Sequence, residues 1–375
     1  MGSVIEGVFG TQTPEHDTCQ LQRRKRQLVI SKPWLLPLGI MDARNSHYLP
    51  LLLLSVPSLL LAFRLLVTFP LPPGPIAVYP SLASLPNNSR SWLIYPENFY
   101  EGGNYANFPF GRVRYWIFGP ENGEKVVLVH GLSIPAIIWK DVAPQLAAKG
   151  FRVLVYDLYG RGYSDAPQVP YNAGLYTTQL ALLMQHVHWG KAHIVALSMG
   201  GGITTSFVSS FPELTTGKIA LIAPTGLMET SDFSRTSKVM SSPLIQYITS
   251  TSLVRTFLQK LGSGDSSIDP IHEIVQIQSA YLPGYNGAIA SSLRDGPLRG
   301  LSQAYSALAK HKQDLLLIWG TDDNSVPYRY AANIQKLVPN SKLITVDGGN
   351  HDLTLSNPKV VCEALVDFLR STKIR

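Results

Sequence analysis

Val195-Ala196-Leu197-Ser198-Met199-Gly200-Gly201 joins an apolar stretch to a glycine-rich one, and it decides how the rest of the chain is interpreted. Residues 191–197 are predicted to form a buried strand, and residues 200–211, closed by Pro212, are predicted to form a helix of about three turns. A serine at such a junction, with small residues two positions before and after it, is typical of a nucleophile elbow. Ala196 is a mild departure, because the general motif has glycine there.

A serine hydroxyl needs a base to accept its proton and a third group to orient that base. Both residue types follow downstream. A predicted strand at 314–319 leads into a loop with two adjacent carboxylates, Asp322 and Asp323. A further predicted strand at 341–346 leads into a glycine-containing loop that carries His351. The chain order is serine, acid, histidine, and spacing alone leaves the choice between the two carboxylates open.

Backbone donors for a developing oxyanion are predicted upstream. The apolar strand at 125–129 ends at His130-Gly131-Leu132-Ser133, and the elbow supplies a second turn at Ser198. The amides of Leu132 and Met199 are the expected donors. Another strand at 151–156 leads into the loop 157–165.

Together these motifs resemble the α/β-hydrolases, in the cap-bearing group that includes serine esterases, monoacylglycerol lipases and carbon-carbon bond hydrolases. The resemblance covers about residues 91–375. The matching motifs, in chain order, are the His130-Gly131 turn, the loop 157–165, the elbow at Ser198, Gly320-x-x-Asp323-x-x-Val326-Pro327, and Gly349-Asn350-His351. No metal and no cofactor are expected, because no paired ligand spacing and no nucleotide fingerprint are present.

The resemblance implies a role for each matching residue. Ser198 would be the nucleophile and His351 the general base. Asp323, the third residue after the glycine in the family pattern, would be the orienting acid, and its neighbour Asp322 a turn residue. The amides of Leu132 and Met199 would form the oxyanion hole.

Other polar residues near these motifs are predicted to be structural. We expect His130 to hold its own loop by hydrogen bonds. Asp157 and Arg161 are expected to brace the loop after their strand, since charged groups in turns usually satisfy backbone groups.

The predicted fold class is α/β, with a mostly parallel sheet and helices on both faces, because strands and helices alternate along the chain. Residues 91–95 and 112–118 are the expected opening strands. The alternation lapses for about eighty residues before Asp314, which predicts a helical cap at about 225–310. Helical spacing of apolar residues occurs there at 243–248, 253–258 and 271–281, and the candidates to line a pocket are Met228, Phe233 and Met240.

The chain has 375 residues, 45% of them apolar, so one catalytic domain at 91–375 and an amino-terminal appendage are expected. The net charge of +7 is concentrated before residue 45, for example in Arg23-Arg24-Lys25-Arg26, which argues against a nucleic-acid surface. Residues 1–47 are expected to be a disordered basic tail.

Residues 48–69 are predicted to form a transmembrane helix, since a run of about 21 apolar residues approaches the thickness of a bilayer. A cleaved signal peptide is disfavoured, because 48 residues precede the run. If Met41 were the start, the segment would look more like a signal. Residues 70–90 are predicted to be a proline-rich linker.

The positive charges before the apolar run predict a cytosolic amino terminus and a lumenal or extracellular hydrolase domain. Asn87 offers a glycosylation acceptor that agrees with this topology.

The predicted function is a membrane-anchored serine hydrolase that cleaves carboxylic esters. The anchor suggests a lipid ester as substrate. Carbon-carbon bond cleavage and acyl transfer use the same triad and remain alternatives within the enzymes. A non-catalytic scaffold that keeps the hydrolase fold is the alternative outside them.

Overall fold

The computed structural model describes residues 48–67, 74–249, 251, 254 and 269–371. The chain divides into two units, Met1–Pro73 and Gly74–Arg375. In the first unit the described residues form helix α1 (Tyr48–Val67). No helix among the described residues meets the combined length and apolarity of a membrane span, so the predicted transmembrane helix at 48–69 is not supported. The predicted disordered tail at 1–47 lies outside the described residues.

The second unit is built around one mixed sheet. The strands of this sheet are β2 (Gly103–Phe108), β3 (Gly111–Phe118), β4 (Glu124–Val129), β5 (Phe151–Tyr156), β7 (Ala192–Leu197), β8 (Thr215–Ile222), β9 (Asp314–Gly320) and β10 (Lys342–Val346). Two further strands, β1 (Val78–Tyr79) and β6 (Ala166–Pro167), form a separate two-stranded sheet. The eight-stranded order is β10-β9-β8-β7-β4-β5-β3-β2. From β10 to β5 neighbouring strands are parallel, and β3 is antiparallel to both of its neighbours.

Helices precede, connect and cover these strands. They are α2 (Ser91–Ile94), α3 (Ala143–Ala148), α4 (Ala173–His186), α5 (Met199–Ser210), α6 (Arg235–Met240), α7 (Pro243–Thr249), α8 (Pro270–Tyr281), α9 (Tyr285–Asp295), α10 (Ser302–Lys310), α11 (Arg329–Leu337), α12 (Leu353–Ser356) and α13 (Pro358–Arg370).

Helices cover both faces of the sheet. Because successive residues of a strand point to opposite faces, each strand contributes to both cores. In β4, Val127 and Val129 join one core together with residues of α4, α5, α10 and α11. Val126 and Leu128 join a second core with residues of α3 and α13. The predicted α/β class with helices on both faces is therefore confirmed.

One expectation near the start of the second unit is wrong. Residues 91–95 were expected to be a strand, and the structure has helix α2 there instead, followed by the fully buried Tyr95. The Tyr95 hydroxyl donates to Asp157 Oδ1 at 3.0 Å, so the chain turns inward at this point. The edge position is taken by β2, which forms a hairpin with β3.

The described part of the predicted linker, residues 74–90, belongs to the second unit and packs onto the rest of it. Leu82 is fully buried, and its amide donates to the Gly162 carbonyl at 3.0 Å. Strand β1 pairs antiparallel with β6. Burying such a leucine contributes about 2 kcal/mol, which favours packing over a detached, extended spacer.

A helical region lies between β8 and β9, where the sequence predicts the cap. It contains α6 to α10, and α7 and α8 coincide with the predicted helical segments at 243–248 and 271–281. The segment predicted at 253–258 falls almost wholly outside the described residues.

Candidate active site

The backbone at Ser198 has the strained geometry of a nucleophile elbow. Its φ is 56° and its ψ is −123°, a region that residues with a β-carbon rarely occupy. The Ser198 amide donates to the Ile222 carbonyl at 2.9 Å. A β-carbon at Gly200 would lie 2.4 Å from the Val129 carbonyl oxygen, so only glycine fits there. Ala196 is fully buried in β7, and its methyl group is accommodated.

His351 and Asp323 form a hydrogen-bonded pair. His351 Nδ1 lies 2.8 Å from Asp323 Oδ2. The other carboxylate oxygen, Oδ1, accepts from the amides of Ser325 and Val326, each at 2.8 Å. An ionised carboxylate can only accept, so His351 Nδ1 carries the proton and Nε2 is left free to accept one.

The structure places Asp323, and not Asp322, against the histidine. Asp322 is exposed, and its carboxylate accepts from the neighbouring Thr321 hydroxyl at 3.2 Å. The Asp322 amide donates to the Gly349 carbonyl at 3.0 Å, which joins the acid loop to the histidine loop. A β-carbon at Gly320 would lie 2.1 Å from that carbonyl oxygen, so this close approach needs glycine.

The two predicted oxyanion donors lie beside the serine. A β-carbon at Gly131 would lie 3.1 Å from Ser198 Cβ and 3.5 Å from Ser198 Oγ. The backbone of Leu132, the next residue, therefore begins close to Ser198. Met199 is the first residue of α5, where backbone amides have no partner within the helix.

His130 is a buried, neutral histidine that holds the loop after β4. Leu158 donates its amide to His130 Nε2 at 2.9 Å, so Nδ1 carries the proton and donates to the Gly131 carbonyl at 2.9 Å. Burial, together with the nearby Arg161 charge, lowers the pKa of His130 to about 3. The predicted structural role of His130 agrees with these bonds.

Asp157 and Arg161 brace the loop after β5, as expected. The Asp157 carboxylate accepts from the amides of Ala136 and Tyr163, each at 2.8 Å. Its complete burial raises the pKa of Asp157 to about 6. Arg161 is also fully buried and donates through Nε to the Leu132 carbonyl at 2.8 Å.

A cavity of about 390 Å³ opens onto Ser198, His351, Gly131 and Leu132. Apolar side chains dominate its remaining wall, and they come from both the main sheet and the cap: Ile134, Ile138, Leu197, Met228, Phe233, Leu293, Leu298 and Val326. Two of the three predicted pocket residues, Met228 and Phe233, are among them. The side chain of the third, Met240, lies outside the described part of the chain.

Cap residues that no sequence motif indicates also shape this site. Leu293 and Leu298 follow no recognisable motif. Asp232 also lines the cavity, and it is paired with Arg329 of α11. These residues are 97 positions apart in the sequence, and no local pattern signals their contact.

Comparison with known proteins establishes the family. A family model described as alpha/beta hydrolase fold matches residues 125–358. The chain belongs to the α/β-hydrolase fold family, as the resemblance of its motifs implied, and its relatives support a hydrolase.

Individual relatives are distant. An uncharacterized protein from Mycobacterium tuberculosis is 26% identical over 271 residues, covering 67% of this chain and 77% of the relative. A 2-hydroxy-6-oxo-6-phenylhexa-2,4-dienoate hydrolase from Burkholderia cepacia is 27% identical over 259 residues, covering 66% and 88%. The crystal structure of a carboxylesterase from Bacillus subtilis superposes with a TM-score of 0.57 at 18% identity, covering 75% of this chain and 95% of that chain.

The neutral state of His130 predicts a pH-dependent stability. A histidine in the unfolded chain binds a proton near pH 6.5, whereas folded His130 does so only near pH 3. The unfolded state therefore binds more protons between these values, and the free energy of unfolding falls as pH falls from 6.5 towards 3, by about 5 kcal/mol over the whole interval.

Urea unfolding at pH 7.5, 6 and 5 measures this dependence in wild type, His130→Gln and the exposed control His311→Gln. We expect His130→Gln to lose less stability per pH unit below 6.5 than the other two proteins. The buried His193, whose pKa burial lowers to about 4, leaves a residual slope in all three. Equal slopes would contradict the assignment.

Proposed function

We propose that this protein is a serine hydrolase that cleaves carboxylic esters through an acyl-enzyme on Ser198. The observation that carries the proposal is that the strained serine and His351, which is paired with Asp323, line one cavity. The family membership supports hydrolysis as the general reaction.

In the first half of the reaction, Ser198 Oγ attacks the ester carbonyl carbon and its proton passes to His351 Nε2. The carbonyl π electrons move to oxygen, and the amides of Leu132 and Met199 stabilise the resulting oxyanion. Asp323 stabilises the imidazolium that forms. When the oxyanion collapses, the bond to the alcohol breaks and His351 returns the proton to the leaving alkoxide.

In the second half, water attacks the acyl carbon while His351 Nε2 accepts one of its protons. The second oxyanion occupies the same hole. Its collapse breaks the bond to Ser198, and the proton on His351 passes to the departing serine oxygen. The products are the carboxylic acid and the free enzyme.

The charge of the cavity favours a neutral ester over the substrate class of the Burkholderia relative. That enzyme's name describes a dienoate, which carries a carboxylate. The described lining residues include the carboxylates of Asp352 and of Asp232, which is paired with Arg329, and no lysine or arginine. A substrate carboxylate would find no cationic partner there, and its desolvation would cost several kcal/mol.

The apolar wall supports a hydrocarbon acyl group as the part of the substrate that the cavity buries. A lipid ester fits this wall, and we propose it as the substrate class. Acyl transfer differs only in the acceptor of the second half-reaction, an alcohol in place of water, and product analysis separates the two.

Covalent labelling tests the catalytic assignment. A fluorophosphonate probe should label wild type and leave Ser198→Ala unlabelled, because the probe phosphonylates the activated serine with loss of fluoride. Asp323→Asn should slow hydrolysis of a generic ester by about a thousandfold or more, since the histidine loses its orienting acceptor. The matched control, Asp322→Asn, should change the rate little.

A folded wild type that resists the probe would favour the non-catalytic scaffold. A larger loss in Asp322→Asn than in Asp323→Asn would overturn the choice of acid.

Substrate charge gives a second test. We expect neutral 4-nitrophenyl butyrate to be hydrolysed with a kcat/KM at least about tenfold above that of the 4-nitrophenyl monoester of succinate, which carries a carboxylate in the acyl part. Carbon-carbon cleavage of a carboxylate-bearing dienoate should be slower than ester hydrolysis. Preference for either anionic substrate would argue for the carbon-carbon bond hydrolase.

The cellular location is proposed from the sequence: a single-pass membrane protein with its hydrolase domain in the lumen or outside the cell. Asn87 lies in an exposed turn, which leaves it accessible to glycosylation.

The full-length protein should stay in the membrane fraction after alkaline carbonate extraction. Glycosidase treatment should change the mobility of wild type but not of Asn87→Gln. Release by carbonate would contradict the anchor, and protease digestion of the carboxyl terminus from the cytosolic side would contradict the orientation.

A further inference from the structure

Three consecutive backbone carbonyls beside the nucleophile are each held by a buried side chain. We name residues 131–133 the oxyanion loop. The hydrogen bonds run from His130 Nδ1 to the Gly131 carbonyl at 2.9 Å, from Arg161 Nε to the Leu132 carbonyl at 2.8 Å, and from the Tyr285 hydroxyl to the Ser133 carbonyl at 2.9 Å. The exposed fractions of the three donors are 0%, 0% and 3%.

These bonds fix the direction of the loop's amides. In a planar trans peptide the N–H group points opposite to the carbonyl of the same peptide. His130 holds the Gly131 carbonyl, so the Leu132 amide is turned away from His130. Arg161 and Tyr285 hold the next two carbonyls and thereby fix the two peptides that follow this amide. Preorganised donors of this kind stabilise an oxyanion without reorganising during the reaction.

Two of the connections begin on helix α9 of the cap. Tyr285 is the first residue of this helix. Ser292, two turns later, accepts from Arg161 Nη2 at 2.7 Å and lies 2.7 Å from the Tyr176 hydroxyl. Its own hydroxyl donates to the Ala288 carbonyl one turn earlier. Helix α9 therefore contacts the oxyanion loop directly through Tyr285 and indirectly through Ser292 and Arg161.

Arg161 connects the cap to the loop and also carries charge. Its described hydrogen-bond partners are all neutral oxygens, from Leu132, Tyr159, Tyr176 and Ser292. The rings of Tyr171 and Tyr176 lie 5.6 and 5.7 Å from its guanidinium carbon. No described carboxylate forms an ion pair with it. Its positive charge is therefore not neutralised by a direct counter-ion, and it lies next to the oxyanion loop.

We propose that Tyr285, Ser292 and Arg161 are positioning residues through which the cap helix α9 sets the geometry of the oxyanion hole. The proposal rests on the proposed function, because it assigns these residues to the transition state of that reaction. When α9 is packed against the main domain, which we call its seated position, the hydrogen bonds to the oxyanion loop are complete. When α9 moves away, the carbonyls of Leu132 and Ser133 lose this support.

The same helix also contributes to the cavity that would hold the substrate. Leu293, next to Ser292, lines the catalytic cavity. An acyl group that packs on Leu293 stabilises α9 in its seated position, and the seated helix holds the oxyanion loop. Binding energy from the acyl group is thus used to stabilise the transition state rather than only to bind the substrate.

Conservative variants of the full-length protein test this coupling. Tyr285→Phe and Ser292→Ala each remove one hydroxyl and keep the rest of the side chain's packing. Arg161→Lys keeps the charge and loses the planar fork of donors. The matched controls are Tyr281→Phe, a half-exposed tyrosine on the preceding helix, and Ser291→Ala, a buried serine on the same helix that bonds to Tyr171 and Asp295.

The readouts separate positioning from stability. The kcat and KM for 4-nitrophenyl butyrate are measured per folded molecule, with the folded fraction taken from thermal unfolding. The inhibition constant of an alkyl trifluoromethyl ketone is measured in parallel. Ser198 adds to this ketone, and the hemiketal oxygen then occupies the oxyanion hole.

We expect kcat to fall about ten- to a hundredfold in Tyr285→Phe and Ser292→Ala with KM nearly unchanged, because the lost interaction acts in the transition state. Ketone affinity should fall by a similar factor. Arg161→Lys should lose more than either. The two control variants should keep kcat and ketone affinity within about twofold of wild type.

The proposal is overturned if the three variants keep wild-type kcat and ketone affinity per folded molecule, or if the controls lose as much as they do. Failure of the proposed function gives a different result, because wild type itself would then show no Ser198-dependent labelling by the fluorophosphonate probe.

Discussion

The strained backbone of Ser198 is the constraint around which the other site elements are arranged. A serine with a φ of 56° costs about 1 to 3 kcal/mol, and the fold holds it there by bonds on both sides. The Ser198 amide donates to Ile222 at the end of β8, and the Ser198 carbonyl accepts from Thr225 and Gly201. Helix α5 can approach β4 only because Gly200 has no side chain. This backbone geometry places the Ser198 side chain in the wall of the cavity, at the end of a buried strand.

The proposed base, His351, and its acid, Asp323, lie on two loops that contact each other directly. The loops follow β9 and β10, which are parallel neighbours, so both begin at the same edge of the sheet. The Gly349 carbonyl takes the place that a side chain at Gly320 would occupy, and it accepts the Asp322 amide. Backbone contacts between the two loops and the hydrogen bond of the Asp323–His351 pair therefore support the same arrangement.

The parts predicted from sequence are those with local causes. Apolar runs give the buried strands, and glycine spacing gives the elbow. Spacing alone does not show which of the two adjacent carboxylates pairs with His351. The difference depends on which carboxylate accepts hydrogen bonds from the amides of Ser325 and Val326. The burial of Leu82 and the contact of Tyr285 with Ser133 were also beyond prediction, since their partners lie 80 and 152 residues away and leave no periodic pattern.

Arg161 has no described ion-pair partner, and this favours an electrostatic role for the buried network over rigidity alone. A loop that needed only rigidity could be held by neutral donors, as Tyr285 and His130 hold the carbonyls on either side. A buried guanidinium is costly to desolvate, and a carboxylate partner would offset part of that cost. Such a partner would also cancel the positive potential at the proposed oxyanion hole. Hydrogen bonds to neutral oxygens and contact with two tyrosine rings keep the charge in place without cancelling it. The same cation disfavours protonation of His130 and so preserves the tautomer that orients the Leu132 amide.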